Sequence, residues 1–222
     1  MVESKSWNWN IVEGKKKEIW QEPSMESYYL LNRWRGQKKN TFLDLGCGLG
    51  RHTILFAQNG FTTSAFDLSE TAIQKTKEWC SSLSLDVDFK IGDMLSLPYE
   101  DNQFDSILCR NVISHTDTEG MKKIITELKR VLKTEGECYI TLGSKDTWGW
   151  KQTDWPLEDE NTRIRMDEGP EKGIPHFYAD YDLIIQLFSE FKIEMIYQVE
   201  DFYTEKEKVF NSFHYHILIR KV

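Results

Sequence analysis

The stretch Leu43-Asp44-Leu45-Gly46-Cys47-Gly48-Leu49-Gly50-Arg51 passes from a short apolar run through three alternating glycines into a helical pattern. Glycine is needed where the backbone turns sharply, and where a ligand must approach the amides with no Cβ in the way. In a parallel sheet the first strand ends at the crevice where such folds bind ligands. The spacing is G-x-G-x-G, which differs from the G-x-G-x-x-G of dinucleotide-binding loops. Asp44, just before the glycines, can accept hydrogen bonds or face a ligand ammonium, and would be a poor neighbour for a pyrophosphate. The plain alternative is a tight structural turn.

Outward from this loop, strand-like and helix-like segments alternate over residues 41–144. Strands are predicted at Thr41 to Leu45, Phe61 to Leu68, Val87 to Ile91, Phe104 to Cys109 and Cys138 to Leu142. Short apolar runs separated by helices indicate a parallel sheet covered on both faces. Apolar residues at 121, 124, 125, 128, 131 and 132 fall on one face of a helix, with Gly136 as its expected stop. Ser69 is the expected N-cap of another helix, with Glu70 in its first turn and Ala72, Ile73, Thr76, Trp79 and Cys80 along one side.

The two ends and one inner segment differ from this pattern. Residues 1–40 carry Trp7, Trp9, Trp20, Tyr28, Tyr29 and Trp34 and are predicted to form an aromatic cap with a helix from Ser24 to Trp34. A helix from Tyr181 to Phe191 and strands at Lys192 to Val199 and Phe213 to Ile219 close the chain, the two strands as an antiparallel pair at the sheet edge. The expected fold is therefore α/β, a Rossmann-like doubly wound sheet of seven strands, mostly parallel, filling 41–222. Within it, residues 145–177 lack periodicity and hold Trp148, Trp150 and Trp155. Irregular stretches of this length in a compact domain are usually disordered or bind something, and three tryptophans favour an inserted substrate lid.

Composition narrows the function. The 222 residues include 36 acids against 28 bases, a net charge of −8, and the longest basic run is Lys15-Lys16-Lys17. Affinity for nucleic acid rests largely on cationic side chains that displace counterions, so such a partner is disfavoured. No apolar run reaches the ~18 residues needed to cross a bilayer, and the first residues lack the apolar core of a signal peptide, so a cytoplasmic protein without a membrane partner is expected. Cys47, Cys80, Cys109 and Cys138 form no CxxC pair and read as buried thiols.

Two further acids stand at strand ends. Asp67 closes the second strand, where an acid can accept both hydroxyls of a ribose. Asp93, in Gly92-Asp93-Met94 after the third, can accept from an exocyclic amine, and Met94 offers a purine an N–H and an apolar face. Singly, each is more often a solvated cap. Together with the glycine loop they resemble the class I S-adenosylmethionine (SAM)-dependent methyltransferases. The run LDLGCGLGR at 43–51, FDLS at 66–69, GDM at 92–94 and FDSILCRNVISH at 104–115 fall where that family's motifs fall. The likeness covers roughly 41–142. It implies SAM as cofactor and S-adenosylhomocysteine as product. It further implies that Asp44, Gly46, Cys47 and Gly48 contact the methionine part, that Asp67 holds the ribose with Leu68 against the adenine, and that Asp93 and Met94 flank the adenine. Arg110, Asn111 and Val112 should border the sulfonium, and Trp20 and Tyr28 either cover the cofactor or pack on the core.

Methyl transfer from a sulfonium is an in-line displacement, so the protein mainly aligns the partners and excludes water. A general base is needed only if the acceptor must lose a proton. His115, after the fourth strand, is a candidate base or a histidine satisfying backbone groups. His176 and Tyr178, where the lid rejoins the core, are further catalytic candidates. Trp148, Arg163 and His176 are candidate acceptor contacts, Arg163 and Arg165 for a carboxylate. From Asp154 to Glu171 the lid has seven acids and two bases, which either attract a cationic or amine acceptor or are simply solvated. His214 and His216 are expected at the surface, and no metal site is expected. The leading reading is methyl transfer to a small molecule of unknown identity. A non-catalytic SAM-binding domain, RNA or protein methylation, and a nicotinamide-dependent oxidoreductase are the alternatives.

Overall fold

All five parallel strands read from the sequence are present in the computed structural model, which describes Trp7, Trp9 and residues 20–169, 171–205 and 208–222. The Lys15-Lys16-Lys17 run lies outside the described residues. Strands β1 (Thr41–Leu45), β2 (Thr62–Asp67), β3 (Val87–Ile91), β4 (Phe104–Cys109) and β5 (Leu132–Ser144) lie in the order β3-β2-β1-β4-β5, each pair parallel. Two long strands, β9 (Lys192–Glu205) and β10 (Lys208–Arg220), complete a body of seven, with β10 antiparallel to both β5 and β9. The lid adds β6 (Leu157–Asp159), β7 (Thr162–Ile164) and β8 (Pro175–Ala179), giving a ten-stranded sheet among the described residues. Residues 145–177 are thus partly a small meander, which their sequence hid because each strand is only three to five residues long.

The helices cover both faces. On one, α1 (Met25–Gly36) and α2 (Arg51–Gln58) share a core with Phe42 and Leu218, in which the rings of Phe42 and Phe56 stack at 3.8 Å. Glu137 of β5, buried, ties α1 down: Arg33 donates to it through Nε at 2.9 Å and Nη2 at 2.8 Å, and Trp34 Nε1 at 2.8 Å. Helix α3 (Glu70–Ser82) begins as predicted, with Ser69 Oγ accepting from the amide of Ala72. On the other face α4 (Thr118–Val131) and α5 (Tyr181–Leu187) pack on Ile107, Ile140 and Ile217.

Two expectations are corrected here. Helix α4 stops at Val131 rather than at Gly136, because Leu132 turns extended and pairs with Phe104 of β4. His216 is not a surface residue. Strand β10 is paired on both edges, by β5 and β9, and its His216 face packs against Tyr139, Tyr197 and Glu26, so His216 is 3% exposed with its Nδ1 against the Tyr139 hydroxyl. All four cysteines are free and buried, as expected.

Strand pairing also positions the lid. Gly143 of β5 pairs with His214 of β10 on one side and with Tyr178 of β8 on the other. The second side is the one on which β4 has already ended, since its register with β5 stops at Cys109 and Ile140. Strand β8 therefore continues the sheet past the end of β4, and Phe177 N donates to Ser114 O at 2.8 Å.

Candidate functional site

A cleft opens at the carboxyl ends of β1, β2 and β4, floored by the glycine loop. Gly46, Gly48 and Gly50 all have positive φ, at 74°, 54° and 87°. A side chain is disfavoured there by backbone strain, and a Cβ at Gly46 would lie 2.3 Å from Val112 Cγ2. Asp67, 8% exposed, forms one wall. Its Oδ2 accepts from Gly48 N at 2.9 Å and its Oδ1 from Ser69 N at 2.8 Å, which fixes the carboxylate against the loop. Each oxygen keeps a further lone pair for a ligand hydroxyl. Burial raises the Asp67 pKa, and the Ser69 and Gly48 amides oppose that shift. Leu68, Phe66, Gly92 and Met94 supply an apolar wall beside it.

The opposite wall is cationic and follows β4. Arg110, Asn111, Val112 and His115 line it. Asn111 sits at φ 59°, a conformation asparagine tolerates better than most residues, and is held by Thr141, whose Oγ1 accepts from Asn111 N at 2.7 Å and donates to Asn111 Oδ1 at 2.9 Å. Arg110 Nε is buried with no hydrogen-bond partner, its nearest counter-charge being Glu26 at 3.9 Å. Arg51, on the same cleft, has its pKa lowered to about 10 by burial and by Arg110. Over the top lie Trp7, Trp9 and Trp20, with ring centroids 4.8–5.9 Å apart.

At the rim the lid meets the fourth-strand loop. His115 and His176 have ring centroids 4.9 Å apart, and Glu171 stands between them, 3.8 Å from His115 Nε2 and 3.6 Å from His176 Nε2. Glu171 also accepts from Trp7 Nε1 at 2.9 Å and pairs with Arg165, which in turn pairs with Asp167. Burial holds both imidazoles neutral. His115 is pushed well below the usual range and His176 to about 4, with Arg165 lowering each further.

Comparison with known proteins bears on this geometry. Residues 42–136 match a family model described as a methyltransferase domain. Over these residues the chain is similar to SAM-dependent methyltransferases. An uncharacterized protein of Methanocaldococcus jannaschii is 30% identical over 53% of this chain and 47% of its own length. Norajmaline N-methyltransferase of Rauvolfia serpentina is 33% identical over 43% of this chain and 33% of its own. The chain thus spans less than half the length of these curated relatives. A solved SAM-dependent methyltransferase of Methanosarcina mazei, 20% identical, superposes with a TM-score of 0.72 over 90% of this chain and 99% of that one, a likeness of fold.

The fold brings Gly46, Cys47, Gly48, Asp67, Leu68, Met94, Arg110, Asn111, Val112, Trp20 and His115 onto one cleft. Several other expected residues are not on its lining. Asp44 is buried beneath the loop, where its Oδ2 accepts from Thr53 N at 2.8 Å and Thr53 Oγ1 at 2.6 Å, so it anchors α2 rather than meeting the methionine part. Asp93 caps its own turn, with Oδ1 accepting from Leu95 N at 2.9 Å. Tyr28 is 44% exposed on α1. Arg163 donates to the carbonyls of Trp150 and Trp155, and Trp148 packs on Trp155 and Phe210, so both hold the lid together. Tyr178 is buried against Trp150, and His176 reaches the cleft only through His115.

The sequence reading missed Trp7, Trp9 and Arg51 on the cleft and Glu171 at its rim. Arg51 ended the quoted motif, and the N-terminal tryptophans were already conspicuous. Nothing in the lid's composition separates Glu171 from its six acidic neighbours.

The Asp44 carboxyl is pushed up to about 6, first by burial, against the hydrogen bonds from Thr53. The folded state therefore holds this proton more tightly than the unfolded chain, and stability falls as pH rises from about 4 to about 6. Asp44→Asn keeps the acceptor and removes that dependence. Melting curves should show the variant gaining on the wild type between pH 4 and pH 7. Equal differences at both pH values would contradict this role.

Proposed function

We propose that this chain transfers a methyl group from SAM to a small-molecule acceptor that enters on the His115 side of the cleft. The observation that carries the reading is the joining, on one cleft, of a glycine loop, a fixed carboxylate at Asp67 and, at Arg110, a buried Nε without a hydrogen-bond acceptor. SAM presents matching groups: vicinal ribose hydroxyls, a planar adenine and a methionyl carboxylate. Asp67 would accept from the hydroxyls, Leu68 and Met94 would bracket the adenine, and Arg110 would supply the charge-assisted hydrogen bond its Nε now lacks. The cofactor brings an activated methyl on sulfur.

The protein's own residues then do three things. The bare backbone of the glycine loop, whose own amides are held by Phe66 O and Asp67, and the Val112 side chain would shape the space for the methionyl part. Trp7, Trp9 and Trp20 cover the cleft and exclude water. The neutral imidazole of His115, whose burial keeps its lone pair free, stands where an acceptor proton would leave.

The net charge of −8 and the enclosed aromatic roof support a small acceptor over a nucleic acid. The lid acids give little support to a cationic one, because Asp167 and Glu171 are paired with Arg165, and Glu168 with Lys172. No helix among the described residues is long and apolar enough to cross a membrane. Calorimetry with SAM and S-adenosylhomocysteine should show saturable binding of both. A metabolite screen with labelled SAM should then show transfer to one acceptor class. No heat with either ligand at millimolar concentration would overturn the reading, and binding without turnover of any acceptor would favour a non-catalytic SAM-binding domain.

A further inference from the structure

We infer that His115, Glu171 and His176 form a binding site for a divalent transition-metal cation of zinc-like preference at the rim of the cleft. The donor set comes from two places in the chain: His115 from the loop after β4, and Glu171 and His176 from the lid, the latter on β8. One donor atom from each lies within 4.8 Å of the other two. The site does not depend on the SAM reading above, since none of its chemistry involves the cofactor.

Four observations support it. The first is spacing. Zinc–imidazole and zinc–carboxylate bonds of roughly 2.0–2.2 Å set neighbouring donors about 3.3–3.5 Å apart in a tetrahedral shell. His115 Nε2 lies 3.8 Å from Glu171 Oε1 and His176 Nε2 3.6 Å from Oε2, too long for hydrogen bonds, and one donor atom of each residue lies within 4.8 Å of the others, so small side-chain rotations reach that separation.

The second is the tautomer. His176 Nδ1 lies 3.1 Å from the carbonyl oxygen of Ile174, which can only accept, so Nδ1 carries the proton and Nε2 presents its lone pair toward Glu171. Hydrogen bonding of the remote ring nitrogen to a carbonyl is the usual support of a metal-bound histidine.

The third is the fixing of the carboxylate. Trp7 Nε1 and Arg165 both donate to Glu171, so its orientation does not rest on the histidines. Asp167 meets Arg165 through Nε at 2.6 Å and Nη2 at 3.0 Å and balances its charge. With neutral histidines, the group Arg165, Asp167 and Glu171 carries one net negative charge, which a divalent cation would meet favourably. The fourth is burial: the three side chains are 12–16% exposed, enough to screen the site yet leave it an entry.

Three protein ligands leave an open position in a tetrahedral shell, as in zinc sites that also take an exogenous ligand. His115 is shared with the cleft wall, so a bound cation would occupy the lone pair given above to proton transfer, and the base role belongs to the metal-free protein.

The test is a titration of the full chain, stripped with chelator, with Zn(II) by calorimetry and with Co(II) by visible absorption. One equivalent of each should bind, with a d–d absorption of tetrahedral intensity for Co(II). Glu171→Gln and His176→Ala should each weaken binding at least 10-fold, and His214→Ala, on β10, should leave it unchanged. Circular dichroism and melting of each variant, with SAM affinity measured alongside, separate loss of the site from loss of the fold or of the cofactor cleft. Absence of saturable binding to the wild type at millimolar metal would overturn the inference. So would binding that survives both Glu171→Gln and His176→Ala in folded protein.

Discussion

Asp67→Ala is expected to weaken SAM binding by about 1–3 kcal/mol, a roughly 5- to 150-fold rise in Kd by calorimetry. The magnitude follows from two losses at once. A charged acceptor leaves the cleft wall, and the amides of Gly48 and Ser69 lose the oxygens that hold them at 2.9 and 2.8 Å. The glycine loop is then free to relax away from the shape these bonds hold. Asp67→Asn separates the contributions. It retains one acceptor oxygen and the side-chain volume, so it should fall between wild type and alanine. Affinity unchanged in Asp67→Ala would mean that the second strand does not face the ribose and would remove the main support for the cofactor pose.

The largest expected loss of stability is at Glu137. Its carboxylate is 1% exposed and accepts from Arg33, Trp34 and Gln37, all on or just after α1. Glu137→Ala leaves the Trp34 Nε1 group buried without an acceptor and uncouples the helix from β5. Breaking a buried ion pair from one side costs about 3–5 kcal/mol, and the lower end applies because Arg33 is 27% exposed and can rehydrate. Urea denaturation should show this as a shifted midpoint with little change in slope. A loss below about 1 kcal/mol would mean that α1 contributes little to the fold.

The same carboxyl has a pH signature. Burial alone would raise its pKa, but the donors of Arg33, Trp34 and Gln37 outweigh that and leave it lowered. Its contribution is therefore complete above the unfolded value of 4.5 and disappears as pH falls through the lowered folded one. This is opposite in sign to Asp44, whose carboxyl is raised. Both are buried strand acids, and only their partners distinguish them. Arg33 donates a full positive charge to one, whereas the other receives only the neutral amide and hydroxyl of Thr53.

Asp44 and Asp93 show where reading from residues reached its limit. Each stands at a strand end, as Asp67 does, and pattern alone gave all three the same standing. Which of them lines the cleft depends on the side of the strand end from which it emerges, since Asp67 accepts from two backbone amides and still forms the cleft wall. Arg163 is a similar case: its guanidinium suited an acceptor carboxylate, but the lid's own carbonyls take it. His216 differs from its expected surface position because β10 inserts between β5 and β9 and its side chain packs on Tyr139 and Tyr197.

What the amino-acid order determined by itself was the seven-stranded body of the sheet, its parallel part and the glycine turn, because these depend on periodicity and on residues adjacent in the chain. Tertiary structure alone decided which acids line the cleft, that Trp7 and Trp9 roof it, and that Glu171 meets His115 and His176. Those contacts join positions as far apart as 164 residues, from Trp7 to Glu171. Local propensity carries no information about such pairs. They form only once β8 extends the sheet beyond β4 and carries the lid over the strand ends.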